Sequence, residues 1–211
     1  MSLRRHHEHI AYERRRKRVA IVFSVFVVLS MVGAIFVAML YNPTAQDKLE
    51  YGEHEIDVKE LPGGGSVYTI DGNDIELQHL PPLVTYVEVD PGVTPVLGNA
   101  QQIALVADTN STPEDLALVD YARLQLTLGL RTPSFSAMTG ENAYGLPVIN
   151  CSAASPQMPV VLFTAVNDTP RIDLDGSCVI VRATGRGILA AKDRLLYERL
   201  GIIADGQVVE E

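Results

Sequence analysis

Apolar and polar positions divide this chain into two unlike stretches. From Val19 to Leu40, 22 consecutive residues carry no charge. A run of that length, at about 1.5 Å per residue, crosses a hydrocarbon core of about 30 Å. The pattern predicts one transmembrane helix over 19–41, with Tyr41 where an interfacial aromatic belongs. The run is longer than the ~7–15 residues of a cleavable signal, and no good small-x-small site follows it, so a retained signal-anchor is expected.

Beyond the anchor the periodicity becomes that of a mixed domain. Residues 42–65 read as a stalk or linker that closes on Pro62-Gly63-Gly64-Gly65. Val67–Ile70 and Ile75–Leu80 read as a hairpin around Asp71-Gly72-Asn73-Asp74, because Asp-Gly supplies the turn geometry. Val84–Val89 alternates and reads as a strand, and Ile103–Ala107 as a short buried one.

A helix is expected from Pro113 to Leu128. Ser111 or Thr112 caps it, Pro113 suits its first turn, Glu114 and Asp115 sit at its positive end, and Gly129 stops it. Its leucines and Val119 wrap most of its surface, which predicts a well-buried helix. Residues 131–157 are rich in Ser, Pro, Gly and Asn and read as a long irregular contact loop.

Val160–Thr164, Arg171–Leu174 and Cys178–Val181 read as strands, the last two joined by a tight turn at Asp175-Gly176. A second helix over 188–200 ends at Gly201. Arg194 and Glu198 pair along it, while Lys192 and Arg199 fall within its apolar arc, either snorkelling or forming a buried ion pair. The expected fold class is an α/β (α+β) extracytoplasmic domain over 66–211. It would hold one mixed sheet of about five to eight strands and two helices, preceded by the transmembrane helix.

Charge sets the orientation. The tail 1–18 holds seven basic residues, five of them in the run Arg14-Arg15-Arg16-Lys17-Arg18, against Glu8 and Glu13. Residues 41–60 hold only Lys48 and Lys59 against six acids. Lys/Arg excess marks the cytoplasmic flank, so the N-terminus lies inside a cell membrane and the C-terminal domain outside the cytoplasm. Residues 41–211 carry 10 basic and 24 acidic side chains, a balance of −14. A domain so acidic repels nucleic acid.

Cys151 and Cys178 both lie in the outer part, where disulfides persist, and are expected to bridge. Asn110, Asn150 and Asn167 head glycosylation sequons. Ser30, Ala34 and Ala38 repeat at intervals of four, a spacing that lets membrane helices approach closely. The lipid bilayer is thus one partner. Another membrane or envelope protein, or a second copy, is the other.

No catalytic constellation, metal-ligand spacing or cofactor motif is evident. Asp71, Asn73 and Asp74 lack the spacing of a calcium loop. Gly185-Arg186-Gly187 lacks the remainder of a phosphate loop. His79 alternates within a strand and reads as a surface histidine.

The expected function is a non-enzymatic binding or accessory protein of a cell-envelope complex, docking through a sheet edge or through 131–157. One alternative is a tethered hydrolase using acids such as Asp108, Asp173 and Asp175. The other is a pilin-like subunit, although the small residue before the apolar run and the acid shortly inside it are missing.

Overall fold

A computed structural model of the chain describes residues 25, 27, 29, 30, 47–51, 54–61, 65–70 and 72–203. The chain divides into two compact units, Met1–Ala45 and Gln46–Glu211. In the first, Val25, Val27, Leu29 and Ser30 are helical and exposed. Arg14 to Arg18, Ala34, Ala38 and most of the apolar run lie outside the described residues. Among the described residues no helix is long and apolar enough to cross a membrane.

The second unit is mixed α/β. Among the described residues it contains two sheets and three α-helices, where one sheet and two helices were expected. The first sheet is an antiparallel meander of β1 (Asp47–Tyr51), β2 (His54–Leu61), β3 (Gly65–Ile70) and β4 (Asn73–Leu77). The expected linker therefore contains β1 and β2. Its weak alternation carries a buried face after all, with Ile56 enclosed beside Ile70. The expected hairpin is present as β3 and β4, and Gly72 at φ +78° supplies its turn. Asp71 lies outside the described residues.

The second sheet runs in the order β5-β9-β10-β8-β6-β7. Its strands are β5 (Glu88–Val89), β6 (Ile103–Ala107), β7 (Ser134–Met138), β8 (Val160–Thr164), β9 (Arg171–Asp175) and β10 (Cys178–Arg182). Strands β6, β7, β8 and β10 are parallel, and β9 turns back against β10.

Helix α1 (Val93–Gly98) precedes β6, α2 (Pro113–Gly129) crosses from β6 to β7, and α3 (Arg186–Leu200) follows β10. Thr112 caps α2 by accepting a hydrogen bond from the Asp115 amide at 3.1 Å. Gly201, at φ +72°, ends α3.

Two expectations fail locally for identifiable reasons. Val84–Val89 is a strand only at Glu88–Val89. Pro81-Pro82 opens a 3-10 turn over Pro81–Val84 instead, and Val84 and Val87 are both buried three residues apart. Helix α1 has only two buried residues, Val93 and Leu97, too short a stripe to register as periodic.

Burial also divides differently from expectation. Helix α3 is the enclosed one, with every residue from Ala190 to Glu198 buried. Helix α2 buries Val119, Ala122 and Leu126 but leaves Leu124 and Leu128 exposed. Strand β6 is buried on both faces. Ile103, Leu105 and Ala107 belong to the main core with α2 and α3. Ala104 and Val106 join Ala137, Val160 and Cys178 in a smaller core on the other face.

The Cys151–Cys178 disulfide forms in that second core, with Cα atoms 5.2 Å apart. It fastens the 3-10 turn Cys151–Ala153 to buried Cys178 at the start of β10. It adds a covalent tie to a turn that Ile149 and Ala154 also pack against the same core and that Asn150 caps.

Candidate docking groove

Strand β7 ends the second sheet, so one side of its backbone has no neighbouring full strand. The ladder to β6 uses alternate residues. The Ile103 amide donates to Pro133 O at 2.9 Å, and the Thr139 amide donates to Ala107 O at 3.0 Å. Residues 134, 136 and 138 therefore point their main-chain groups outward. At Met138 both groups are taken. Its amide donates to Pro147 O at 3.0 Å, and its carbonyl accepts from the Ile149 amide at 2.9 Å. Ser134 and Ser136 have no backbone partner among the described residues.

Beside this edge, on the α2 side, lies a cavity of about 330 Å³. Leu116, Leu124, Met138, Leu146 and Tyr144 wall it, and Asp120, Arg123, Thr127 and Ser136 add polar groups. That volume falls at the lower end of the range for binding sites. The roof is well ordered. Asn142 Nδ2 donates to Gly140 O at 3.3 Å and to Leu146 O at 3.0 Å, while its Oδ1 accepts from the amides of Tyr144 and Leu146. One side chain thus sets the loop that presents Tyr144, 74% exposed.

Arg123 forms the floor. Almost wholly buried, it donates to Ala137 O at 2.8 Å and pairs with Asp120, itself more than half exposed. Its Nε has no partner among the described residues. Helix, sheet and groove are thereby tied through one guanidinium. Leu128 lies one turn beyond Leu124 on α2, and Val148 sits opposite Met138; both are exposed. The 131–157 segment, expected as irregular, thus contains an edge strand and an ordered loop. The Ser134-Phe135-Ser136-Ala137 alternation was the available signal, disguised by its serines.

The candidate acids do not converge. Asp108 follows β6 and is bonded within its own turn, accepting from Asn110 N at 3.0 Å and from Thr139 Oγ1 at 3.2 Å. Asp173 lies on β9 and binds Arg182 Nε at 2.6 Å. Three strand spacings separate β9 from β6, about 14 Å, well beyond the reach of a carboxylate pair. Asp175, exposed at the far end of β9, is more distant still. Among the described residues no group of acids, histidines and cysteines could hold a metal ion. The Gly185 amide at the start of α3 donates to Asp115 Oδ1 at 2.7 Å, so a carboxylate of this chain already occupies the place of a phosphate.

His79 is not a simple surface histidine. Its Nδ1 lies 2.7 Å from Asp193 Oδ2, and that oxygen also accepts from the amides of Gln78 and His79 at 3.1 and 3.0 Å. Asp193 is fully buried and pairs with fully buried Lys192, so the lysine of the apolar arc forms an ion pair. Tyr197 donates to His79 O at 2.6 Å, and Tyr121 donates to Glu76 at 2.6 Å.

Burial holds the Lys192 ammonium below its usual range, against the pull of Asp193. It pushes the Tyr197 phenol up, and Asp193 adds to that. Burial, with the hydrogen bond to Glu76, pushes Tyr121 up to about 12. These groups join the β4 end and α2 to α3, and their role is structural. Arg194 and Glu198 pair at 2.5 Å, as their spacing implied, but both are buried rather than on a polar side opposite the apolar stripe.

Asn110, Asn150 and Asn167 are all exposed, and Asn150 accepts from Ser152 Oγ at 2.6 Å. Comparison of the chain with family models, with curated proteins and with solved structures finds no match.

Proposed function

We propose that this protein is a single-pass membrane-anchored accessory protein whose acidic outer domain docks an envelope partner through the β7 groove. The observation that carries the reading is the exposure of Leu124 and Tyr144 in the walls of the cavity beside the open edge of β7, with exposed Val148 opposite Met138 at the end of that edge. Exposed apolar groups concentrated at an ordered concave site mark interaction surfaces.

Other features support the address. The uncharged run Val19–Leu40 and the basic flank Arg14 to Arg18 fit an N-in anchor. A disulfide fits an oxidising outer compartment. Asp108 and Asp173, two of the acids on which the hydrolase alternative relied, lie about three strand spacings apart, which favours the docking reading.

The test is photo-crosslinking in intact cells with benzoylphenylalanine at Tyr144 or Leu124, both in the groove wall, and at exposed Glu114 as the control. One discrete adduct from the first two positions and none from the third is expected. Equal or absent adducts at all three positions would end the docking reading. Accessibility labelling of cysteines placed at Ser2 and Glu211 checks the orientation.

A further inference from the structure

We propose that the β7 edge and its cavity receive an extended segment of a partner protein as an added strand. That segment carries a bulky apolar residue flanked by a basic one. The inference rests on the docking reading above and specifies its chemistry.

Backbone accounting comes first. Outward-facing amides and carbonyls at Ser134 and Ser136 have no backbone partner among the described residues, while those of Met138 are satisfied by Pro147 and Ile149. The chain therefore already lays one short segment along this edge, in the parallel sense at Met138–Val148. What stays open is the edge at Ser134 and Ser136, enough to pair with a few residues of an added strand. An incoming strand satisfies these groups with its own backbone, whatever its sequence.

The cavity supplies selectivity. Ser134 Oγ donates to Thr127 Oγ1 on α2 at 3.0 Å, so the serine side chains of β7 face the helix. Side chains on the same face of an added strand point towards the same helix and meet the cavity walled by Leu116, Leu124, Leu146 and Tyr144. About 330 Å³ accommodates a Leu- or Phe-sized group. The loop tied down by Asn142 needs no ordering on binding, which keeps the entropic cost low.

Charge sets the remaining preference. Arg123 at the floor is paired with Asp120, so the cavity lining is balanced in charge and suits an uncharged side chain. Asp120, paired with Arg123 yet more than half exposed, stands at the rim of a domain whose residues 41–211 carry −14 overall. A basic residue therefore belongs beside the apolar anchor, at the rim.

Panning a phage-displayed random nonapeptide library on the full-length protein in nanodiscs tests this. Enriched peptides are expected to alternate in strand fashion and to carry Leu, Ile or Phe next to Lys or Arg. The winning peptide should lose about tenfold or more in affinity against Leu124→Glu. It should lose as much against Ser136→Pro, which removes an outward amide that an edge strand can spare. Asp120→Asn should weaken binding about threefold and flatten its salt dependence.

No enrichment over the Leu124→Glu protein, a preference for acidic peptides, or indifference to Ser136→Pro each overturns the proposal. If Tyr144 and Leu124 still crosslink a partner, strand addition alone has failed. If they do not, the docking reading has failed with it.

Discussion

Replacing Asp193 by Asn tests whether the buried ion network holds the meander to α3. One oxygen of Asp193 accepts three hydrogen bonds from Gln78 and His79, and the other faces Lys192. Asparagine keeps the shape and one acceptor. It leaves the Lys192 ammonium in a fully buried site, with the Glu76 carbonyl at 3.5 Å and the more distant charge of the Glu76 carboxylate in place of a paired carboxylate.

Removing one partner of a buried pair costs about 3–5 kcal/mol, because the other charge is stranded away from water. A domain of this size has a total stability of about 5–15 kcal/mol, so about a fifth or more is lost. With an m-value of about 2 kcal/mol/M, a loss of about 4 kcal/mol lowers the urea midpoint by about 2 M. The assay is urea unfolding of the full-length protein in micelles, followed by circular dichroism.

The double variant Lys192→Met with Asp193→Asn removes the stranded cation and should recover about 2 kcal/mol or more. A cost below about 1 kcal/mol for Asp193→Asn, or no recovery in the double variant, would refute the reasoning.

Two further outcomes are expected. Cys151→Ser opens the loop closed by the disulfide and leaves Cys178 as a buried thiol. The loop-entropy model sets the cost at about 3–4 kcal/mol, or a fall of about 10 °C in Tm by calorimetry, and an unchanged Tm would count against a structural bridge.

Alkaline pH should destabilise the domain. The phenols of Tyr68, Tyr121 and Tyr197 are all raised above 10.0, so the unfolded chain loses those protons first and stability falls as pH rises past about 10. Lys192 acts oppositely, since its depressed pKa adds stability as pH rises towards 10.5 and nothing beyond. The urea midpoint should therefore drop beyond about pH 10.5, and a midpoint that continued to rise there would contradict the assignment.

What sequence alone determined was local in origin. The strands Ile103–Ala107, Val160–Thr164 and Cys178–Arg182, the capped helix after Thr112 and the Gly201 stop could all be read from residues close to one another in the chain. The cysteine pairing was legible because only two cysteines exist.

The rest needed the third dimension. Whether the leucines of α2 are buried depends on how many faces of that helix are covered. The fold places α3 in the enclosed layer and leaves Leu124 and Leu128 outside. Whether Lys192 reaches water depends on β4 and His79, more than a hundred residues earlier in the chain. The expected linker became two strands because Ile56 found Ile70 across the ladder.

The groove shows the limit most clearly. Ser134 and Ser136 became an open edge only because the strand order ends at β7, and strand order arises from long-range pairing, which no local pattern encodes.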